Sequence, residues 1–286
     1  MAPTNLTVGA SGIRGENIEK AIKGFAEQAY KLKQVCLVQS SSNWTETYYE
    51  ESSTVLTGGT GSAITGVPRG AGFPYVEPNW QKKSGVHTKY AAEGVIWMED
   101  KLTDAIDVQA RTLLRVAQAV ASAVDTAIHT GITGATGINT LAAAATWDNA
   151  TIALRDPISD ILHGIEYMSV DNYDFFENGY ILMNPEDYTN LISNSKVINN
   201  PSFKTADVVS NGVVGQICGG KIIRSNSVTA NQVILIIGQR ACTWKTAVPL
   251  TTTTIEEPGI KYTIRAWEIG QLQVHDPEAI HVITGC

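Results

Sequence analysis

The sequence predicts an α+β protein organised around one very long helix. A Thr-, Gly- and Pro-rich excursion precedes that helix, and short strands separated by turns dominate toward the C-terminus. With 286 residues, the chain can bury one large core or two modest ones. Its 21 Lys+Arg against 28 Asp+Glu leave a formal net charge of −7. That balance argues against a broad clamp on nucleic acid, which needs cations to neutralise phosphates. No apolar run approaches the roughly 18 residues of a membrane helix, so no membrane partner is expected. The start, Met1-Ala2-Pro3-Thr4-Asn5, lacks the basic-then-apolar layout of a secretory signal.

Residues Gly15–Gln34 read as an amphipathic helix. Ile18, Ala21, Ile22, Phe25, Ala29 and Leu32 share one face, and Glu16, Lys20, Lys23, Glu27 and Lys31 fill the rest. From Cys36 to about Lys89 helix formers thin out. Trp44–Tyr49 and Gly85–Tyr90 suit strands, with Gly58, Gly59, Gly61, Gly66, Gly70 and Gly72 and Pro68, Pro74 and Pro78 between them. This segment reads as two extended arms joined by turns, which cannot build a compact core alone. From Lys101 to about Thr130, Leu102, Ile106, Ala110, Leu113, Ala117, Val120, Val124 and Ile128 form a helical stripe. Such a helix is about 40 Å long. Asp104, Asp107, Arg111, Arg115, Gln118, Ser122 and Asp125 are assigned to its polar face, and Gly131 to its left-handed cap.

Pro157–Ser169 is a second helix, with Ile158, Ile161, Leu162, Ile165 and Met168 on one face. Tyr180–Met183 is a short apolar strand. Asn184-Pro185-Glu186-Asp187 starts a helix: Asn caps free amides, Pro suits the first position, and the acids face the positive dipole end. Val208–Ile237 alternates strands and turns, with Val233–Ile237 fully buried. Tyr262, Ile264 and Ala266 alternate with Lys261, Thr263, Arg265 and Trp267, and Leu272 and Val274 continue the strand. Asp276-Pro277-Glu278 turns the chain into a returning strand over Ile280–Ile283.

No catalytic set emerges. His87, His129, His163, His275 and His281 are scattered, and none shows a spacing that puts two ligands on one helix face. His129 is expected to be a packing or capping histidine. Gly58–Ser62 lacks the Gly-Lys-Ser/Thr ending of a phosphate loop, and Gly131–Gly137 follows a helix instead of preceding one. The pairs Glu99/Asp100 and Asp104/Asp107 suit a helix dipole better than acid–base work. Cys36, Cys218, Cys242 and Cys286 show no Cys-x-x-Cys spacing and are expected to be reduced thiols, with interchain pairing at Cys286 as the lesser reading. No catalytic residue, metal ligand or cofactor is assigned. The aromatics of the excursion (Trp44, Tyr48, Tyr49, Phe73, Tyr75, Trp80) sit among Glu46, Glu50, Glu51 and Glu77, which favours a protein contact over nucleic-acid stacking.

The order of elements resembles the major capsid proteins of tailed phages, with Hong Kong 97 phage as namesake. The extended loop of that family matches about Ser40–Glu93 and its spine helix Leu102–Thr130. Asp125–Gly131 looks like its helix ending, Tyr180–Tyr188 like its axial strand and helix start, and Gly238–Ala241 and Asp276–Ile280 like its later strands. The resemblance implies a Hong Kong 97-like capsid fold with N-terminal arm, extended β loop, long spine helix with peripheral sheet, and axial domain. It divides the chain into an arm (1–35), extended loop (36–95), peripheral domain with spine helix (96–140), axial domain (141–258) and returning peripheral strands (259–286).

It further implies a structural subunit that joins copies of itself as pentamers and hexamers in an icosahedral shell around double-stranded DNA. The shell would be assembled in the host cytoplasm and would carry no enzyme activity. Portal, scaffolding and cement proteins are the further partners such shells use. Family members often carry a long scaffolding segment ahead of the fold. Here the resemblance starts within about 35 residues of Met1, so separate scaffolding, or none, is expected. Lys82, Lys83 and Lys89 match the cross-linking lysine of the namesake by type only, and no cross-link is expected. An encapsulin-like nanocompartment enclosing cargo enzymes is the alternative, kept open by the helix at Gly15–Gln34. An enzyme with a deep apolar pocket is a third.

Overall fold

A computed structural model describes residues 22, 29–52, 66, 68–72, 79–103, 108–198 and 215–286. Three sheets organise them. A four-stranded sheet has the order β1 (Leu37–Ser40), β10 (Cys242–Glu257), β11 (Lys261–Val274), β4 (Thr88–Trp97). A six-stranded sheet has the order β5 (Asn139–Ala142), β12 (Ile280–Thr284), β9 (Gln232–Ile237), β6 (Gly179–Met183), β8 (Gly220–Arg224), β7 (Gln216–Ile217). A separate antiparallel ribbon pairs β2 (Thr45–Ser52) with β3 (Asn79–Val86), from Thr45↔Val86 to Ser52↔Asn79.

Val108–Thr133 forms most of the expected long helix, and Met98–Thr103 is a further helical element. Residues 104–107 lie outside the described residues, and with them the reading of Asp104 and Asp107. Its stripe buries Leu113, Val116, Ala117, Val120, Val124, Ile128 and Ile132. The helix packs across β4 and β11. Gly131 does not cap it. The helix runs on to Thr133. A side chain at Gly131 would fall 2.6 Å from Leu272 Cδ2, so the absence of one lets the helix lie against β11. The left-handed turn comes later, at Gly137 (φ +87°).

In the N-terminal segment the structure describes Ile22 and Ala29 as helical, with Ile22 buried. The helix does not reach Gln34. Tyr30 leaves it and Leu32–Gln34 form a 3₁₀ turn, because the amides of residues 31–33 are taken by a side chain from the long helix.

In the six-stranded sheet Val233–Ile237 is buried throughout, as expected for a central strand. Each such aliphatic side chain contributes about 2 kcal/mol by leaving water. Helix Pro157–Val170 covers this sheet, burying Ile161, Ile165 and Met168, while Leu162 faces out at 47% exposure. Its Asp160 accepts from Trp147 Nε1 (2.9 Å) and Ala144 N (3.2 Å). Asn184 caps helix Pro185–Ser193 as expected, accepting from Glu186 N at 3.1 Å. Residues 208–214 of the expected strand-and-turn segment lie outside the described residues.

Sheet membership cuts across the boundaries read from sequence. Residues 242–257 pair with β11 and β1, and β12 closes the six-stranded sheet between β5 and β9. The pairing of β10 shifts register twice between Thr246 and Thr251, around Pro249, which has no N–H to give to a ladder.

Candidate assembly surfaces and the arm clasp

The ribbon stands on the end of the four-stranded sheet. Glu46 accepts from Gln273 Nε2 (3.0 Å) and from the Ser41 hydroxyl. Those bonds, Ser41 foremost, hold its carboxyl below the ordinary range. His275 accepts from Glu51 N through its carbonyl (2.8 Å) and meets the Tyr48 ring edge-on at 5.6 Å. Gly85 sits against the Gln271 side chain, where a Cβ would fall 1.6 Å from Nε2. Apart from Glu50, which is buried, much of the ribbon is exposed or half-exposed. Trp44, Tyr49 and Trp80 are 59%, 56% and 51% accessible, and the described residues of the turn region, 66 and 68–72, are all exposed. Ile152, Leu154, Val170 and Phe176 are exposed as well.

The segment at 30–33 is clasped by two buried carboxylates. Asp125, read from sequence as a polar-face residue, is buried. It accepts from Lys31 N (2.8 Å), Leu32 N (3.1 Å) and Lys33 N (3.3 Å). Burial pushes its carboxyl above the ordinary range, against the downward pull of these amides. Glu268, on β11, is fully buried and accepts from Tyr30 Oη (2.5 Å), Lys33 Nζ (2.6 Å) and Trp244 Nε1 (2.9 Å). Burial and, after it, Glu268 push the Tyr30 hydroxyl upward. Lys33 Nζ also lies 4.4 Å from the Tyr30 ring centroid. Spine helix, sheet and N-terminal segment thus meet through charge-assisted bonds.

The histidines do not converge. His129 is buried and pairs with Gln232 Oε1 at 3.3 Å, a packing role as expected, and burial lowers its pKa. His163 is exposed. His281 is buried in the six-stranded sheet, stacks on Tyr167 at 5.7 Å, and burial holds its pKa down at about 4. Among the described residues no histidine hydrogen-bonds a hydroxyl, thiol or carboxylate, and no cluster of three His, Cys, Asp or Glu could hold a metal. No described helix is long and apolar enough to cross a membrane.

A cavity of about 780 Å³ among the described residues is an open groove at the ribbon foot between β1, β10 and β2. Its acid, Glu46, is already committed to Ser41 and Gln273, and its His275 to Tyr49 O. Of the lysines, Lys83 pairs with Glu50, Lys89 lies over the Trp267 ring, and Lys82 is exposed opposite Tyr49. Glu99 and Asp100 occupy the first turn of helix Met98–Thr103. Sequence reasoning missed Asp125, Glu268 and the adjacency of Cys36 and Cys242, whose Sγ atoms are 3.2 Å apart. Cys286 is buried, so the interchain pairing considered for it is not supported by its position.

The ribbon, spine helix and two sheets together define a Hong Kong 97-like capsid fold. Solved structures share it across most of the chain. A virus-like particle from Pyrococcus furiosus aligns with TM-score 0.64 at 14% identity, covering 94% of this chain and 98% of that one. The capsid of Cyanophage P-SCSP1u aligns with TM-score 0.64 at 15% identity, covering 89% and 88%. The mature capsid of bacteriophage PhiM1 aligns with TM-score 0.64 at 14% identity, covering 89% and 86%. No curated protein matches the sequence. The family model described as phage capsid protein matches residues 82–283, and the chain belongs to that family. Its role is therefore structural, that of a major capsid protein of the virion.

Proposed function

We propose that copies of this chain associate as pentamers and hexamers into an icosahedral shell that encloses double-stranded DNA. The observation that carries this reading is the β2–β3 ribbon. It belongs to neither large sheet, and it holds Tyr49 and Trp80 out in solvent. A neighbouring subunit would bury those rings, which favours association. Weak repeated contacts let misplaced subunits leave before closure. The net charge of −7 suits a wall that does not trap its DNA.

The division of labour proposed is an arm (1–35), an extended loop (36–95) and a spine region (96–140). The axial part begins at 141 and gives way to the peripheral sheet at 242, where β10 joins β11. Assembly in the host cytoplasm, and use of portal, scaffolding or cement proteins, belong to the same proposal. The test is electron microscopy and light scattering of the expressed protein, with nuclease-protected DNA assayed in particles from infected or induced cells. Closed shells with five- and six-fold capsomers and protected DNA are expected. A protein that stays monomeric under all assembly conditions would refute shell formation. Shells filled with folded enzymes in place of DNA would refute DNA enclosure in favour of a nanocompartment.

A further inference from the structure

Cys36 and Cys242 are 206 positions apart in sequence, yet their Sγ atoms lie 3.2 Å from each other in the interior. The parallel pairing of β1 with β10 matches Leu37 with Thr243, so one step back sets Cys36 beside Cys242. The backbone is fixed on each side of the pair. Val35 O accepts from Gln239 N at 2.8 Å, and Cys242 is in register with Val274 of β11. Neighbouring strands lie about 4.8 Å apart, inside the window of roughly 4.4–6.8 Å between α-carbons that a disulfide needs. A strand spacing of this size lets thiol rotation close the remaining gap. Cys286 Sγ, by contrast, points to Ile283 O at 3.7 Å.

We propose that Cys36 and Cys242 are an oxidisable dithiol, and that exchange with a small-molecule disulfide converts them to an intrachain cross-link. The cross-link fastens the root of the N-terminal segment to the four-stranded sheet, next to the clasp made by Asp125 and Glu268. One protein thiolate attacks a sulfur of the oxidant, forms a mixed disulfide and expels one small thiolate. The second protein thiolate attacks the protein sulfur of that mixed disulfide and expels the other. Two protein thiols lose two electrons and two protons, and the oxidant becomes two small thiols. Hydrogen bonding to Cys242 and burial raise the Cys36 thiol well above its ordinary pKa. Thiolate is therefore scarce in the closed state, and exchange proceeds through openings of residues 30–36, after which the same burial protects the product. None of this depends on the shell reading.

The test treats the full-length reduced protein with oxidised glutathione, blocks remaining thiols with an alkylating agent, and maps the peptides by mass. A linked Cys36–Cys242 peptide is expected, with two thiols left for alkylation at Cys218 and Cys286. Oxidation should also raise the denaturant midpoint of the wild type, through closure of a very long loop in the unfolded chain, and should leave that of Cys36→Ser unchanged. Because the linked peptide is read on the wild type, the result stands even where Cys36→Ser or Cys242→Ser folds poorly. Four alkylated thiols after oxidation, a glutathione adduct on Cys36 or Cys242 that does not close, or a link to Cys218 or Cys286 would each overturn the proposal.

Discussion

In the six-stranded sheet Val233–Ile237 is an unbroken run of buried aliphatic side chains, flanked by β12 and β6 and roofed by helix Pro157–Val170. In the four-stranded sheet the interior around Trp244 instead contains Glu268, with Lys33, Tyr30 and Asp125 close by. Apolar packing is non-directional and survives small shifts. A buried carboxylate is stable only while every donor is in place, since removing one partner leaves an uncompensated charge. The first region is built to stay closed. The second fastens a segment from far away in sequence, and its failure would be local and all-or-none.

Breaking the clasp should cost most. Glu268→Ala leaves the Lys33 ammonium and the Trp244 N–H without their acceptor, at about 4 kcal/mol. Limited proteolysis should then cut near residues 30–36 before the six-stranded sheet opens in hydrogen exchange. In the apolar region, Leu235→Ala should cost about 3 kcal/mol in denaturant unfolding without exposing residues 30–36. Equal proteolysis in both variants would erase the contrast.

Asp125→Ala leaves the amides of residues 31–33 without a side-chain acceptor. It should cost about 2 kcal/mol, again read at the arm.

His281 is a titratable weak point of the apolar region. Its folded pKa is depressed to about 4 by burial. The unfolded chain takes up the proton first, as pH falls below about 6.5, so the stability is complete above that value and drains away down to about 4. His281→Phe should remove on the order of 1 kcal/mol of pH-dependent stability across this window, read as a flatter pH profile of the thermal midpoint. Trp80→Ala should move subunit stability by less than about 0.5 kcal/mol and yet reduce particle yield, which light scattering would show.

The elements that announced themselves in sequence were those whose physics is local. The helical period of Leu113–Ile128, the Asn184-Pro185 start and the chain breakers between β2 and β3 each act within a few residues. Asp125 was hidden because its partners are backbone amides 92 to 94 positions away, which carry no residue signature. Glu268 did leave a trace. It falls in phase with Ile264, Ala266, Leu272 and Val274 on the inward side of β11, and an acid on a buried phase needs a partner. The close approach of the helix to β11 at Gly131 was also unreadable, since Leu272 sets it from another element. The Cys36–Cys242 adjacency depends wholly on the β1–β10 register.

The place of β12 has a consequence for synthesis. Residues 280–284 are the twelfth strand in chain order but sit between β5 and β9, joining the two. A polypeptide interrupted before residue 280 would leave β5 stranded and one flank of β9 bare. The six-stranded sheet is therefore completed only once this late strand has been made.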